Sequence, residues 1–486
     1  MADVVAYLNG LVWSRALIFL CLAVGLYFSI RTRFMQVRCI GEMVRLMFRG
    51  RASEAGVSPF QALAMSLSGR VGTGNIAGVA TAITFGGPGA IFWMWVMAFL
   101  GAATSYVECT LAQLYKEKDD QGQYRGGPAF YIEKAMGQRW YAWIFAVVTI
   151  IAMGLLLPGV QANSIAAGVN NAWGVAPSVS AAVIVVALGF IVFGGVKRIA
   201  RFAEIVVPFM ALAYILVAVV IVLINIEQVP AMVGLIVRSA FGLEAGFGAV
   251  LGLAVEWGVK RGVYSNEAGQ GSAAHAAAAA EVKHPAQQGY VQAFAVYVDT
   301  LFVCSATAFM VLVTGRYNVQ APAGGFLVER LPGMETGPGY TQAAVEAVMP
   351  GFGASFVALA LMFFAFTTIV AYYYIAETNV AYINRRVHRP WLSLVLKAAL
   401  LVSVTYGAVR SAGVAWDLGD LGVGVMAWLN IVAILILQRP ALQCLRDYEA
   451  QKRAGGEPVF DPRRLGIRNA DWWEERHRTT TSKETP

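Results

Sequence analysis

Between Ser66 and Gly78 the chain reads Ser-Leu-Ser-Gly-Arg-Val-Gly-Thr-Gly-Asn-Ile-Ala-Gly, which sets an arginine, an asparagine and several glycines halfway along an apolar stretch. A continuous helix there would be weak, since each glycine costs roughly 1 kcal/mol relative to alanine. Hydrocarbon offers no partner to freed amides and carbonyls, so an unwound stretch must line a cavity or an ion site. That defines the available chemistry. Free amides at the start of an outer half-helix direct partial positive charge at a carboxylate, and free carbonyls hold a cation. Close packing of small residues accounts equally well for Ala77, Gly78 and Gly252, but not for Asn75 at mid-span.

Gly242-Leu-Glu-Ala-Gly-Phe-Gly-Ala-Val-Leu-Gly252 repeats the device. Asp299 lies about ten residues into another apolar span, where an uncompensated charge is costly. It suits a cation site shared with Asn75, or an ion pair with Arg70. Arg70 in turn suits a gate with Asp299 or Glu256, or solvation in a cytoplasmic vestibule. Glu108 and Glu377 read as snorkelling or capping groups near cytoplasmic helix ends. An enzyme constellation is missing. His275, His284, His388 and His477 fall in expected cytoplasmic loops or the tail without His-Glu-x-x-His spacing, and Gly269-Gln-Gly271 follows no strand and lacks the lysine of a phosphate loop. The five cysteines form no Cys-x-x-Cys pair, so neither a metal site nor a disulfide framework follows.

The elements that must position these residues are membrane helices. The 486 residues are 58% hydrophobic and 14% charged, with a mean hydropathy of +0.60, the composition of a chain dissolved in lipid. Spanning stretches recur to Leu437, and about eleven transmembrane helices are expected. They fall at 11–30, 59–85, 89–115, 140–167, 177–195 and 202–225, then 242–262, 289–314, 353–377, 391–409 and 415–437, numbered helices 1 to 11. The net charge of +8 is sorted into alternate loops, not gathered on one face, which excludes a nucleic-acid partner. Arginines and lysines follow the odd-numbered helices, including Lys260, Arg261 and Lys283 after helix 7. The other loops hold only Arg238, Arg316, Arg330 and Arg410. By the positive-inside rule the N-terminus is outside and the C-terminus cytoplasmic.

The interruptions open two successive sets of five helices, 2–6 and 7–11, and because five is odd the second set enters from the opposite side, an inverted repeat with its site at the repeat interface. Four regions follow: residues 1–58, an N-terminal helix with an amphipathic interfacial linker over Phe34–Phe48; 59–226 and 227–437, the two repeats; and 438–486, a charged cytoplasmic tail. The far end of the tail, Thr479–Pro486, is expected to be disordered.

Gly72-Thr-Gly-Asn-Ile-Ala-Gly78, Gly86-Gly-Pro-Gly89, Gly126-Gly-Pro128 with Tyr131-Ile-Glu-Lys134, and Ser265-Asn-Glu-Ala-Gly-Gln-Gly271 resemble the alanine or glycine:cation symporter family. Gln270 departs from the pattern, which has an aliphatic residue there; in a segment read as cytoplasmic, this bears on gating, not substrate class. The resemblance implies an all-α, leucine-transporter-like 5+5 fold with one extra N-terminal helix, in a multi-pass inner-membrane protein. Thr73 and Gly74 would give amides to the substrate carboxylate, Asn75 and Gln161 would lie in the pocket, and Gly246 and Phe247 would form the opposing wall. Ser68 and Val71 carbonyls with Thr367 and Thr368 resemble one sodium site, and Asp299 with Asn75 is the candidate for a second. The implied activity is sodium-coupled symport of alanine or glycine, with proton coupling the alternative and an ion channel the more distant one. No organic cofactor is implied.

Overall fold

The structure, a computed structural model, describes residues 2–193, 195–244 and 246–476. His477 and the Thr479–Pro486 segment lie outside the described residues. Among the described residues eight helices are long and apolar enough to cross a membrane: Asp3–Arg31, Gly89–Leu114, Arg139–Trp173, Lys197–Ile224, Pro285–Val313, Gly353–Val387, Trp391–Val409 and Ala412–Arg453. They coincide with helices 1, 3, 4, 6, 8, 9, 10 and 11, and the shorter Pro177–Val192 coincides with helix 5. Helix starts follow local chemistry. Pro59 opens helix 2 behind a capping box in which the Ser58 hydroxyl accepts from the Gln61 amide at 3.1 Å and the Gln61 side chain accepts from the Ser58 amide at 3.0 Å. Between helices 1 and 2 the linker forms short helices Met35–Arg38 and Ile40–Met47, the latter burying Met43, Leu46 and Met47.

Helix 2 runs as a first half, Pro59–Arg70, bends at Val71 and Gly72, and resumes through a π turn, Gly74–Gly78, into a second half, Val79–Gly86; the halves of the broken helices are called inner and outer after the orientation expected from loop charge. The interruption of helix 7 is not where its glycines suggested. Residues Leu251–Asn266 are a continuous helix through Gly252, Gly258 and Gly262, preceded by a separate short helix, Val229–Ala240. Gly258 is there for packing: a Cβ would stand 2.6 Å from the Ala90 carbonyl of helix 3. The chain unwinds instead over Glu267–Ser272 and resumes as Ala273–Ala279. Glu267, Gly269 and Gly271 have φ of 57°, 88° and 82°, left-handed conformations for which two glycines are the natural residues.

With that correction the two halves carry the same element order. Each has a broken helix, then a long helix, a two-stranded antiparallel hairpin (Glu117–Lys118 with Tyr124–Arg125; Asn318–Gln320 with Phe326–Glu329), a short helix opening on proline (Pro128–Met136; Pro338–Val348), and three further helices. Helix 3 packs against helices 1, 7 and 8, and helix 4 against 9 and 10. Helix 8 carries a π segment, Val298–Cys304, that contains Asp299, the kind of local bulge that often marks a site. Helix 11 continues past its expected end to Arg453, and the following tail is not a solvated strand: Phe460, Ile467, Trp472 and Trp473 are buried.

Helices 4 and 10 cross on two glycines, and a Cβ at Gly407 would sit 2.3 Å from the Gly159 Cα, whereas one at Gly413 meets nothing within 4 Å. Gly407→Ala is therefore expected to lower the thermal midpoint of the purified protein, by an overpacking cost of roughly 1–3 kcal/mol, while Gly413→Ala leaves it near the parent value. Equal midpoints for the two variants would contradict this crossing.

Candidate functional site

The bend in helix 2 leaves main-chain groups without helical partners, and side chains from helices 4 and 9 and from Asn75 of helix 2 itself meet them. The Thr368 hydroxyl of helix 9 donates to the Ser68 carbonyl at 2.8 Å, with the Val71 carbonyl at 3.4 Å. Three neutral oxygens thus converge at the end of the inner half-helix, the kind of donor set that suits a hard monovalent cation. Thr368 also reaches the Phe364 carbonyl of its own helix at 2.9 Å, whereas for Thr367 that intrahelical bond, at 2.9 Å, stands without any hydrogen bond to helix 2. Gly72 is required by proximity, since a Cβ there would lie 2.4 Å from the Thr368 oxygen and 3.0 Å from the Gln161 oxygen.

On the other side of the bend the amides are taken by side-chain oxygens. The Gly72 amide donates to Asn75 Oδ1 at 2.8 Å, and the Thr73 amide to Gln161 Oε1 of helix 4 at 3.0 Å. The Thr73 hydroxyl is buried without a hydrogen-bond partner. Asn75 passes the connection on, donating to Asp299 Oδ1 at 2.6 Å. Asp299 also accepts from the Ser265 hydroxyl at 2.9 Å and from Thr300 at 2.7 Å. One carboxylate therefore joins the break of helix 2, the π segment of helix 8 and the end of the outer half of helix 7.

The second break is held by Glu108, which corrects its reading as a snorkelling group. It is fully buried and accepts from the amides of Gly269 at 3.3 Å and Gly271 at 3.1 Å and from the Asn430 side chain at 2.8 Å. Gln270 lies inside the protein and not in a cytoplasmic loop, donating to the Val263 carbonyl at 2.5 Å. His275 and His284 are likewise fully buried. Glu377 is half-buried and pairs with Arg125 at 3.0 Å.

The expected gate pairs do not form. Arg70 is buried, with its guanidinium donating to the Gln292 carbonyl at 3.1 Å and the Ser105 hydroxyl at 3.0 Å, and neither Asp299 nor Glu256 is its ion-pair partner; Glu256 is half-buried on the outer half of helix 7. The buried ion cluster is elsewhere. Arg261 makes two parallel bonds to Asp420 of helix 11 at 2.9 and 2.8 Å, and Lys260 reaches the same carboxylate at 2.8 Å. These two cations are therefore not loop charges, and sequence reasoning miscounted them because a paired charge in a membrane helix looks like the end of one. Trp416 covers the Arg261 guanidinium at 4.5 Å and packs at a 41° tilt, 5.1 Å away, on Tyr264, whose ring edge stands beside Gly74. Trp416 also lines a cavity of about 620 Å³ with Asn163, Ser164, Gln342 and Glu346.

Gly246 is exposed, and Phe247 packs against Gly87 at the far end of the outer half of helix 2. They were assigned to the wall opposite Gly72 because the wrong interruption was paired with it; the residues that face this break from helix 7 are Tyr264 and Ser265. Polar residues mid-span, Asp420 and Asn430 above all, were the available signal for the groups missed.

The sodium:alanine symporter family model matches residues 1–462. This chain belongs to the sodium:alanine symporter family. The putative sodium/proton-dependent alanine carrier protein YrbD of Bacillus subtilis (strain 168) is 60% identical over 477 residues, 98% of each chain. The probable sodium/glutamine symporter GlnT of the same organism is 42% identical over 95% of this chain and 93% of its own. Among solved structures, that of MhsT in complex with L-phenylalanine matches with a TM-score of 0.55 at 14% identity, covering 81% of this chain and 99% of that one. The fold is thus leucine-transporter-like, and the family member is a multi-pass membrane protein.

The bend at Gly72 tolerates no side chain in this geometry. Gly72→Ala is expected to speed amide hydrogen exchange across residues 66–78 of the folded, monodisperse protein, because the wedge parts Thr368 and Gln161 from the backbone. Gly252→Ala, which meets nothing within 4 Å, leaves exchange unchanged. Indistinguishable exchange for both variants would remove Gly72 from the site.

Proposed function

We propose that the chain carries alanine or glycine into the cell together with sodium, by alternating access across the inner membrane. The observation that carries this reading is that one break presents both halves of the required chemistry: the Ser68 and Val71 carbonyls with the Thr368 hydroxyl, and the Gly72 and Thr73 amides. Sodium as cargo sits among the three oxygens. The substrate carboxylate takes the Thr73 amide from the Gln161 oxygen and also accepts from the unpartnered Thr73 hydroxyl, with Gly74 and Asn75 beside it. Asp299 with Asn75 is the second cation position.

Tyr264 and Trp416 replace Gly246 and Phe247 as the wall that limits side-chain size, and Arg261 with Asp420 forms the outer gate, in place of a gate between Arg70 and Asp299 or Glu256. Eleven spans result from the eight long helices, Pro177–Val192 and the two broken helices, with the N-terminus outside. The repeats then cover 59–226 and 251–453, and the parallel element order supports their inverted relation. The arginine-rich loops after helices 1, 3 and 9 support the orientation.

Uptake of labelled alanine into proteoliposomes under an inward sodium gradient tests the reading. Saturable uptake that collapses when choline replaces sodium is the expected result; uptake indifferent to sodium but driven by a pH gradient would replace sodium with a proton. Thr368→Val is expected to raise the sodium concentration for half-maximal uptake by roughly tenfold, the equivalent of about 1.4 kcal/mol, with little change in apparent alanine affinity at saturating sodium. A change confined to alanine affinity would move Thr368 out of the ion site. In competition, glycine, alanine and serine should displace label, and strong displacement by leucine or glutamine would contradict the size limit set by Tyr264.

A further inference from the structure

The segment after helix 11 crosses the cytoplasmic side of the molecule and touches both groups of elements that flank the second break. On one side is the inner half of helix 7, Ala273–Ala279, with the loop that follows it. Arg476 donates to Glu281 at 2.8 Å and to the Val282 carbonyl at 2.9 Å, the Phe460 amide donates to the Lys283 carbonyl at 3.1 Å, and Glu457 pairs with Lys283 at 2.8 Å. On the other side are helix 3, its hairpin and the short helix Pro128–Met136. Trp473 donates to the Gln113 carbonyl at 2.8 Å, Asp471 pairs with Lys134 at 2.8 Å, and Asn469 donates to the Lys134 carbonyl at 2.7 Å.

A compact aromatic cluster joins the two sides. Trp472 and Trp473 meet edge-on at 4.7 Å, Tyr124 packs on Trp472 at 5.0 Å and Phe460 on Trp473 at 5.1 Å. The fully buried Lys116 ammonium lies 4.1 Å from the Tyr124 ring and 4.2 Å from the Trp472 ring, and donates to the Ala280 carbonyl at 2.9 Å. Gln113 also donates to the carbonyls of Ala277 and Ala280. Lys116 therefore binds the end of helix 7's inner half directly, under a lid that the tail supplies, in a desolvated setting where a cation–π contact is strongest.

We propose that residues 457–476 form an intramolecular latch that holds the inner half of helix 7 against helix 3 and so restrains opening of the cytoplasmic side. Any separation of Ala273–Ala279 from the helix 3 hairpin breaks the tail's contacts on one side or the other and wets the Lys116 ammonium. Release of the tail is then a step of the transport cycle, and its strength sets the rate of inward opening. The inference rests on the alternating-access reading.

The test compares the full-length parent with Trp472→Ala/Trp473→Ala in liposomes. Amide hydrogen exchange over residues 266–283 is expected to be several-fold faster in the double variant, and alanine turnover under a sodium gradient several-fold higher at unchanged half-saturation for sodium. Exchange over 266–283 equal to the parent's would overturn the latch. If the double variant does not fold, Arg476→Glu decides in the same way: it should speed exchange, and Arg476→Glu/Glu281→Arg should restore the parent rate, while the absence of either effect overturns the proposal. Exchange does not depend on the cargo, so a parent that fails to take up alanine refutes the transport reading and leaves the latch to be judged by exchange.

Discussion

A backbone amide or carbonyl freed from its helix inside a bilayer has no water to turn to, and leaving it unpaired costs several kcal/mol. Two helices here are interrupted all the same, and most of the rest of the structure follows from how the freed groups are met. For helix 2 the partners are Asn75 itself, Gln161 from helix 4 and Thr368 from helix 9. For helix 7 they are Glu108 from helix 3 and Asn430 from helix 11. Each break is therefore completed by helices of the surrounding scaffold, which must be rigid enough to hold single atoms in register. The glycine crossing of helices 4 and 10 and the close fit of Gly258 on helix 3 are the packing side of the same requirement.

Buried charge is arranged with similar care. The terminal nitrogens of Arg70 meet a carbonyl and a hydroxyl instead of a carboxylate, while its Nε is buried without a partner, and Asp299 accepts from Asn75, Ser265 and Thr300. Asp420 answers two cations at once. Replacing such a cluster by well-packed apolar residues is often neutral or stabilising, so a buried ion pair argues weakly for stability. It lies between helices 7 and 11, under Trp416, which also lines the 620 Å³ cavity. In the proposed cycle this pair breaks as the outer side opens, and the proposed aromatic latch on the opposite side is its counterpart.

Much of this was legible in the residues. Hydropathy located the long apolar helices, although helix 1 starts well before its expected bounds and helices 9 and 11 run well past theirs, and the glycines around Asn75 located the first break because an asparagine at mid-span has no packing explanation. The second break was misread because two signals pointed elsewhere: Gly242–Gly252 is richer in glycine, and Ser265–Gly271, with Lys260 and Arg261 just before it, looks polar enough to be a loop. Hydropathy cannot distinguish polar residues in water from polar residues facing one another inside a protein. Glu108, Asp420 and the buried histidines were lost to the same ambiguity. The tail's docking was not legible because it depends on two adjacent tryptophans, Trp472 and Trp473, set among charges with no periodicity around them. Phe247 went wrong by inheritance, carried over with the misplaced break.

In the proposed cycle cation and substrate share one unwound segment, so that each orders what the other binds. Linkage then requires the effects to be reciprocal and equal in free energy. The most direct test is calorimetric titration of alanine into the purified protein over a series of sodium concentrations, paired with sodium titrations with and without alanine. The account predicts that sodium tightens alanine binding and that alanine tightens sodium binding by the same factor. Alanine affinity that is identical in sodium and in choline would contradict it.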